Sequence, residues 1–251
     1  MDNFTLMYFS PTGGTRHVAE VFKEILGEHC KGDPWDLTSY FWGGELTEND
    51  VAVFFFPVYG GRIPVPLYDR VAQITGRHTR AVLIAVYGNR AVEDALLEMD
   101  DLVSQHGFYV VAAGEVIAPH SLCPEVGEGR PDYADKEQIK AFVEKLLAAE
   151  GSAPIRVPGN RPYRDYKGVN LHPTSGRACS LCMVCKEECP AGAIPAGDPG
   201  SVDKTRCISC MRCVHVCTAQ VRDLPLLAKI STKKAVMKLC GQDRKEPKFY
   251  L

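Results

Sequence analysis

The sequence lacks the features that would place the chain in a membrane, outside the cell or on nucleic acid. Its longest nearly apolar stretches, residues 51–58 and 81–86, are too short to span a bilayer and suit buried strands. No positively charged segment precedes the apolar residues of the N-terminus, so we expect no signal peptide. Lys233 and Lys234 form only an isolated basic pair. These absences predict a cytoplasmic protein with no membrane insertion and no nucleic-acid partner.

Two nucleotide-binding motifs are also absent from the first predicted turn, residues 10–15 (SPTGGT). No Gly-Lys-Ser/Thr follows, which excludes a Walker A loop, and there is no G-x-G-x-x-G to favour a dinucleotide. The turn instead combines three hydroxyls with two glycines at the start of a helical pattern, namely Ser10, Thr12, Gly13, Gly14 and Thr15. Hydroxyl and backbone N–H groups at a helix N-terminus predict an anion site, although a plain N-cap with a glycine turn explains the same residues.

The first 150 residues alternate between strand-like and helix-like patterns. Apolar runs at 4–9, 51–56, 81–86 and 108–116 and a short segment at 35–38 predict five strands, and helical spacing predicts helices over 18–26, 91–106 and 136–149. Strands interleaved with helices form a parallel sheet that is covered on both faces. We therefore predict an α/β domain with a doubly wound, five-stranded parallel sheet of the flavodoxin-like class.

Two further loops follow predicted strands and place a tyrosine beside glycine. Residues 57–64 read PVYGGRIP, and residues 86–92 read VYGNRAV. Ligands of open α/β sheets bind at the carboxyl ends of the strands. There, Tyr59 and Tyr87 would enclose a flat ring, and backbone or amide groups would meet its polar edge, from Gly60, Gly61, Gly88 and Asn89. Either tyrosine alone is unremarkable in a turn, but three loops at one edge predict FMN.

Cysteine is abundant and unevenly distributed. Eight of the eleven cysteines lie between Cys179 and Cys217, in two runs of the form C-x2-C-x2-C-x3-C that are 28 residues apart. Disulfide frameworks are rare in the cytoplasm. A third cysteine only three residues after the second has no place in the usual zinc arrangement, which pairs C-x2–4-C with two distant ligands. The repeat therefore predicts iron–sulfur clusters.

These motifs resemble two known families. The cysteine spacing matches bacterial two-cluster ferredoxins, YFSPTGGT is similar to the phosphate loop of flavodoxins, and the whole chain resembles the flavodoxin–ferredoxin fusion proteins of anaerobic prokaryotes. The ferredoxin resemblance implies two [4Fe–4S] clusters in which the fourth cysteine of each run binds the other cluster. The implied ligand sets are Cys179, Cys182, Cys185 and Cys217 for one cluster, and Cys207, Cys210, Cys213 and Cys189 for the other.

The flavodoxin resemblance also assigns residues to the flavin. Ser10, Thr12, Gly13, Gly14 and Thr15 match the phosphate-binding positions. The flavin ring would lie between two segments, Tyr59, Gly60, Gly61 and Arg62 in one and Tyr87, Gly88, Asn89 and Arg90 in the other. The sequence departs from the families at Gly14, where flavodoxins commonly have asparagine, and at Thr218, where the second ferredoxin run would usually have proline.

Charge divides the chain into two halves. Residues 1–150 contain 12 Lys and Arg against 23 Asp and Glu, and the remainder contains 17 against 8. We expect a flavodoxin-like FMN domain over 1–150, a linker over 151–175, a small α+β ferredoxin-like domain over 176–222 and a helical extension over 223–251. The opposite charges predict either attraction between the halves or a basic surface that receives an acidic carrier.

The two cofactor signatures predict electron transfer that links the clusters to FMN, with a ferredoxin or a similar redox protein as the partner. An FMN-dependent reductase of a small molecule, supplied with electrons by the clusters, is the alternative, and a cluster-based redox sensor is a third hypothesis. His120 follows the fifth predicted strand and could border the flavin, but we expect a structural or solvent-facing role for it.

Overall fold

The first half of the chain forms the predicted alternation of strands and helices. The computed structural model describes residues 3–39, 43–149, 153–176, 178–241 and 243–251, so the predicted junction at 150–152 lies outside the described residues. The strands are β1 (Asn3–Tyr8), β2 (Trp35–Asp36), β3 (Gly44–Leu46), β4 (Asp50–Pro57), β5 (Ile74–Gly76), β6 (Thr79–Tyr87) and β7 (Phe108–Ile117). The helices are α1 (Gly14–Leu26), α2 (Pro66–Val71), α3 (Ala95–Ser104) and α4 (Tyr133–Ala148).

The central sheet has the strand order of a doubly wound fold. Five parallel strands lie in the order β2-β1-β4-β6-β7. When only the parallel strands of this sheet are numbered along the chain, their order is 2-1-3-4-5, as in flavodoxin-like folds. In such folds, ligands bind at the switch point beside the first strand. The strand order confirms the predicted class, and it brings the carboxyl ends of β1, β4, β6 and β7 to one edge of the sheet.

Both faces of the sheet are buried, which explains why its strands are continuously apolar. Along β4, Phe54 and Phe56 point into a core shared with α2 and α3, whereas Val53 and Phe55 point into a core shared with α1 and α4. The Phe55 ring meets that of Phe22 edge to face, with centroids 5.1 Å apart. Full burial of one such side chain contributes roughly 1.5–3 kcal/mol.

The second half has short elements around the cysteine runs, followed by a longer helix and a final strand. They are β8 (Thr174–Ser175), α5 (Val184–Glu187), α6 (Arg212–His215), β9 (Arg222–Asp223), α7 (Leu226–Cys240) and β10 (Lys248–Tyr250). β8 and β9 pair antiparallel at the two ends of the cysteine-rich segment. α5 and α6 each begin one residue before the third cysteine of a run, so the 28-residue repeat of the sequence is also a repeat of structure.

The last residues of the chain add a strand to the sheet of the first half, so the sheet has six strands and not the predicted five. β10 pairs antiparallel with β7 and becomes the sixth strand of the sheet. Phe249 packs on Gly114, where a Cβ would lie 2.8 Å from the ring, and stacks on Phe142 with centroids 4.4 Å apart. The predicted helical extension therefore consists of a helix followed by a strand.

The predicted linker lies along the first half. Asp94 accepts the N–H groups of Asn160 and Arg164 at 2.8 and 2.7 Å, and the Arg161 guanidinium pairs with Asp101. The opposite charges of the two halves thus meet within the chain. No helix among the described residues is both long enough and apolar enough to cross a lipid bilayer.

Candidate functional site

A cleft opens at the carboxyl edge of the sheet, beside the switch point. Residues from all three predicted loops line it: Ser10, Thr12, Gly14 and Thr15 from the first, Tyr59 and Gly60 from the second, and Tyr87, Gly88 and Arg90 from the third. The fold thus brings nine of the thirteen predicted flavin residues around one space, because the strands that precede these loops are neighbours in the sheet.

The first turn of α1 lies beside the cleft. Gly13 precedes the helix with a φ of 91°, a left-handed conformation that favours glycine. The Ser10 hydroxyl accepts the N–H of Arg16 at 2.9 Å and so closes the loop. The first N–H groups of a helix have no partner within it, and those of Gly14 and Thr15 lie beside the cleft. This arrangement suits an anion.

The two predicted tyrosines reach the cleft from different surroundings. Tyr87 is buried, and burial together with the nearby Glu115 carboxylate raises the pKa of its phenol to about 12. Tyr59 is half-buried; burial raises its pKa well above the usual value, and the neighbouring Cys210 and Tyr166 add to the rise. Both phenols are therefore neutral at pH 7, and Tyr59 is also a neighbour of the second half of the chain.

Four predicted flavin residues do not line the cleft: Gly13, Gly61, Arg62 and Asn89. The Arg62 guanidinium forms a two-pronged pair with the Glu98 carboxylate, with both contacts at 2.7 Å. The Asn89 amide donates to the backbone carbonyls of Cys240 at 2.6 Å and Asp243 at 2.7 Å. These two side chains hold neighbouring segments in place, and the Asn89 amide ties the end of α7 to the third loop.

The outer wall of the cleft comes from segments that the sequence did not assign to it. The linker supplies Tyr166 and Val169, the second cysteine run supplies Ile208 and Ser209, and α7 supplies Val236, Leu239 and Cys240. The Tyr166 ring occupies the space beside Gly60, where any Cβ would collide with it. Only the docking of distant segments creates this wall, so local sequence patterns gave no signal for it.

His120 also lines the cleft, beside the predicted flavin loops. Its ring packs against Gly88, where a Cβ would lie 2.5 Å away, and its Nδ1 accepts the N–H of Leu122 at 3.2 Å. Burial, and secondarily the charge of Arg90, lower the pKa of His120. The cleft therefore presents a neutral imidazole at pH 7.

The eight repeat cysteines lie around two cavities. Site A is lined by Cys179, Cys182, Cys185 and Cys217, and site B by Cys189, Cys207, Cys210 and Cys213. These are the two sets that the ferredoxin resemblance implies, including the exchange of the fourth cysteine. The two cavities are similar in size, with a volume of about 20 Å³ each. All eleven cysteines are free thiols.

The backbone repeats the same unusual conformation in the two cysteine runs. Leu181 and Met183 have φ values of 57° and 66°, and Ser209 and Met211, 28 positions later, have 55° and 64°. A left-handed conformation costs a residue with a side chain roughly 1–2 kcal/mol. Such strain persists where the surroundings fix it, often at ligand sites. Here each pair flanks the second cysteine of a run and bends the loop around that thiol.

Site B lies between site A and the cleft. Ile208 and Ser209 line both site B and the cleft, whereas the residues that line site A do not reach the cleft. Cys210 of site B is buried, and burial raises the pKa of its thiol to about 12. Cys182 of site A is exposed. The three sites thus follow one another from the surface to the carboxyl edge of the sheet.

One arginine joins site B to the anion loop. Arg212 is the first residue of α6, and its Nη1 donates to the carbonyl of Pro11 at 3.2 Å. The same guanidinium pairs with Glu188, which follows α5. Arg212 therefore fixes the second half of the chain against the loop at the N-terminus of α1.

No protein-family model matches the sequence, and no curated protein matches it. Solved structures that resemble the chain include a flavoprotein from Bacteroides uniformis, at 13% identity and a TM-score of 0.40 over 57% of this chain and 98% of that one. Flavodoxin 1 from Bacillus cereus has 14% identity and a TM-score of 0.38 over 59% and 98%, and an azoreductase from Bacillus anthracis has 13% and 0.34 over 59% and 97%. At such low TM-scores, the assignment of the fold rests on the strand order of the sheet.

Proposed function

We propose that the chain is an iron–sulfur flavoprotein that transfers electrons between an external redox carrier and FMN in the cleft, by way of two [4Fe–4S] clusters in sites A and B. The observation that carries the proposal is the division of eight cysteines into two four-thiol cavities, one of which shares Ile208 and Ser209 with the cleft. When bound, the clusters would supply single-electron exchange and the flavin exchange of one or two electrons.

The residues around each cavity support the proposal. Thiolates are the ligands of iron–sulfur clusters. Among the described residues no group of three or more Cys, His, Asp or Glu side chains is arranged to hold a metal ion, so the proposal rests on the residue types that line the two cavities. Four thiols around a cavity suit a group with several irons. In the cleft, the donors of the α1 turn suit a phosphate, and two neutral tyrosines suit a flat ring.

We place the approach of the partner at site A. Cys182 is exposed there, and the neighbouring Leu181 is 63% exposed, which gives the site an apolar edge at the surface. Residues 151–251 contain 17 Lys and Arg against 8 Asp and Glu. An acidic redox protein with an apolar contact area complements this end of the molecule.

A reductase that acts on a small molecule is the second candidate. The observation in its favour is the apolar wall that Leu122, Val236 and Leu239 form along the cleft. Anaerobic turnover with quinones or nitro compounds distinguishes the two functions. A reductase saturates with one of these substrates, whereas an electron carrier turns over only when a protein partner is supplied.

Anaerobic reconstitution followed by iron and flavin analysis tests the proposal. We expect about eight irons per chain and one FMN. Cys210→Ser should lower the iron content to about half and retain FMN, and Cys30→Ser, which changes a half-buried thiol outside both sites, should change neither. A chain that binds zinc without iron and takes up no flavin contradicts the proposal.

A further inference from the structure

The side chain of Arg222 is buried beside the cysteine sites without a carboxylate partner. It begins β9 and is only 2% exposed. Its Nη1 donates to the carbonyl of Pro199 at 2.6 Å, and its Nη2 donates to those of Pro173 at 3.0 Å and Ser201 at 2.8 Å. Its Nε has no hydrogen-bond partner, and no carboxylate of the described residues forms an ion pair with it.

This guanidinium lines site A and is hydrogen-bonded to the wall of site B. Arg222 and Pro199 line site A, and Pro173 lines site B, so one side chain holds a carbonyl group from the wall of each cavity. The positive charge is therefore close to ligand positions of both sites.

A buried guanidinium needs a negative charge nearby, because desolvation without a partner is strongly unfavourable. Carbonyl groups accept hydrogen bonds from its Nη1 and Nη2 but do not neutralise its charge. Protonated thiols supply no charge either, whereas metal-bound cysteines are thiolates. With four thiolate ligands, a [4Fe–4S] cluster has a net negative charge, and one in each site would supply the missing counter-charge.

We propose that Arg222 is a counter-ion shared by the two clusters and that its charge raises the reduction potential of both. The inference rests on the clusters of the proposed function. Reduction adds a negative charge to a cluster, and a fixed positive charge in a buried, weakly screened position stabilises the reduced form. Because the guanidinium lies between the sites, it acts on both potentials in the same direction.

Redox titration of the anaerobically reconstituted chain, followed by EPR, tests this role with three variants. Arg222→Gln should shift the reduction equilibrium of both clusters towards the oxidised form by tenfold or more, which is about 59 mV lower for one electron. Arg222→Lys keeps the charge and should stay near the wild-type potentials. Arg206→Gln removes an exposed positive charge beside Cys207 and is the matched control, because solvent screens that charge.

The outcomes separate this inference from the proposed function. If Arg222→Gln binds about eight irons and its potentials equal those of the Arg206 variant, the inference is wrong and the function stands. A shift in only one cluster overturns the shared role. If Arg222→Gln loses iron and Arg222→Lys retains it, the result supports a requirement of the clusters for a positive charge at this position. If both variants lose iron, Arg222 only holds the surrounding loops in place, and the inference is wrong. A wild-type chain without iron removes the proposed function itself.

Discussion

Among single residues, two glycines determine how closely other segments approach the cleft. Gly60 leaves room for the ring of Tyr166, and Gly88 leaves room for that of His120. Gly60 also has a φ of 60°, in the left-handed region. Each position therefore requires a residue without a side chain, and at Gly60 the left-handed backbone conformation is a second reason for glycine.

The first prediction concerns the variant Gly60→Ala. Its Cβ would collide with the Tyr166 ring and displace the linker from the wall of the cleft, so we expect FMN to bind at least tenfold more weakly in a fluorescence titration. Gly129→Ala is the matched control, because Gly129 has a φ of 74° with no atom within 4 Å of the added Cβ. Both variants should lose about 1–2 kcal/mol of stability to backbone strain, and equal FMN affinities would contradict the role of Tyr166.

The second prediction concerns pH and His120. Its pKa in the folded chain is lowered by burial, so below the usual value of about 6.5 the unfolded chain binds more protons than the folded one. The contribution of the neutral imidazole to stability is complete above that pH and is lost as pH falls. His120→Gln should therefore reduce the decrease of Tm between about pH 6.5 and 5. An unchanged pH dependence of Tm in this variant would show that His120 does not titrate as described.

Among the secondary-structure elements, those with long apolar runs could be predicted from the sequence, and very short ones could not. β4, β6 and β7 are long, buried and apolar, and they were predicted within a few residues. β10 has three residues and exists only because it pairs with β7, more than 130 positions earlier. Periodicity over three residues contains no such information, so the sixth strand was not predictable.

The candidate site likewise has one part that the sequence predicts and another part that it does not. Loops at the carboxyl ends of parallel strands follow from the α/β alternation, and these loops supplied most of the predicted residues around the cleft. The wall from α7 and the linker depends on how distant segments dock. Asn89 shows that even within a predicted loop the sequence does not identify the partner of a side chain. Its amide suits a flavin edge or a backbone carbonyl equally well, and in the structure it donates to the carbonyls of Cys240 and Asp243.

The third prediction concerns the attachment of α7 to the cleft. Asn89→Asp replaces an amide donor by a carboxylate that faces two carbonyl groups, so both hydrogen bonds are lost. We expect about 1–3 kcal/mol of destabilisation in urea unfolding and faster FMN dissociation, because Leu239 and Cys240 form part of the wall. Asn49→Asp, at an exposed position, is the control. If FMN dissociates from the Asn89 variant at the wild-type rate, the attachment of α7 does not contribute to the retention of the flavin.

The fourth prediction concerns β10. Phe249→Ala removes the ring that stacks on Phe142 and covers Gly114. Loss of a large packed side chain typically costs about 3–5 kcal/mol when fully buried, and we expect about 2 kcal/mol here because Phe249 is only partly buried. Urea unfolding measures the change, with exposed Leu251→Ala as the control. Equal stability of the two variants would mean that the sixth strand contributes little.

Across the whole molecule, charge and chain connectivity hold the two halves together. The linker arginines Arg161 and Arg164 pair with Asp101 and Glu93 of the first half, which favours attraction between the halves over the use of these two side chains by a partner. Arg212 adds a contact between site B and the anion loop. Site A, site B and the cleft are thus held in series within one chain.

The most direct test of the central proposal is the rate at which the flavin is reduced when electrons enter through the clusters. The reconstituted chain is mixed anaerobically with a reduced one-electron carrier, and flavin absorbance is followed after cluster reduction. Transfer within the chain predicts a first-order phase whose rate constant does not change with protein concentration and which Cys210→Ser abolishes. A rate proportional to protein concentration, or flavin reduction that persists at the same rate in that variant, would contradict the account.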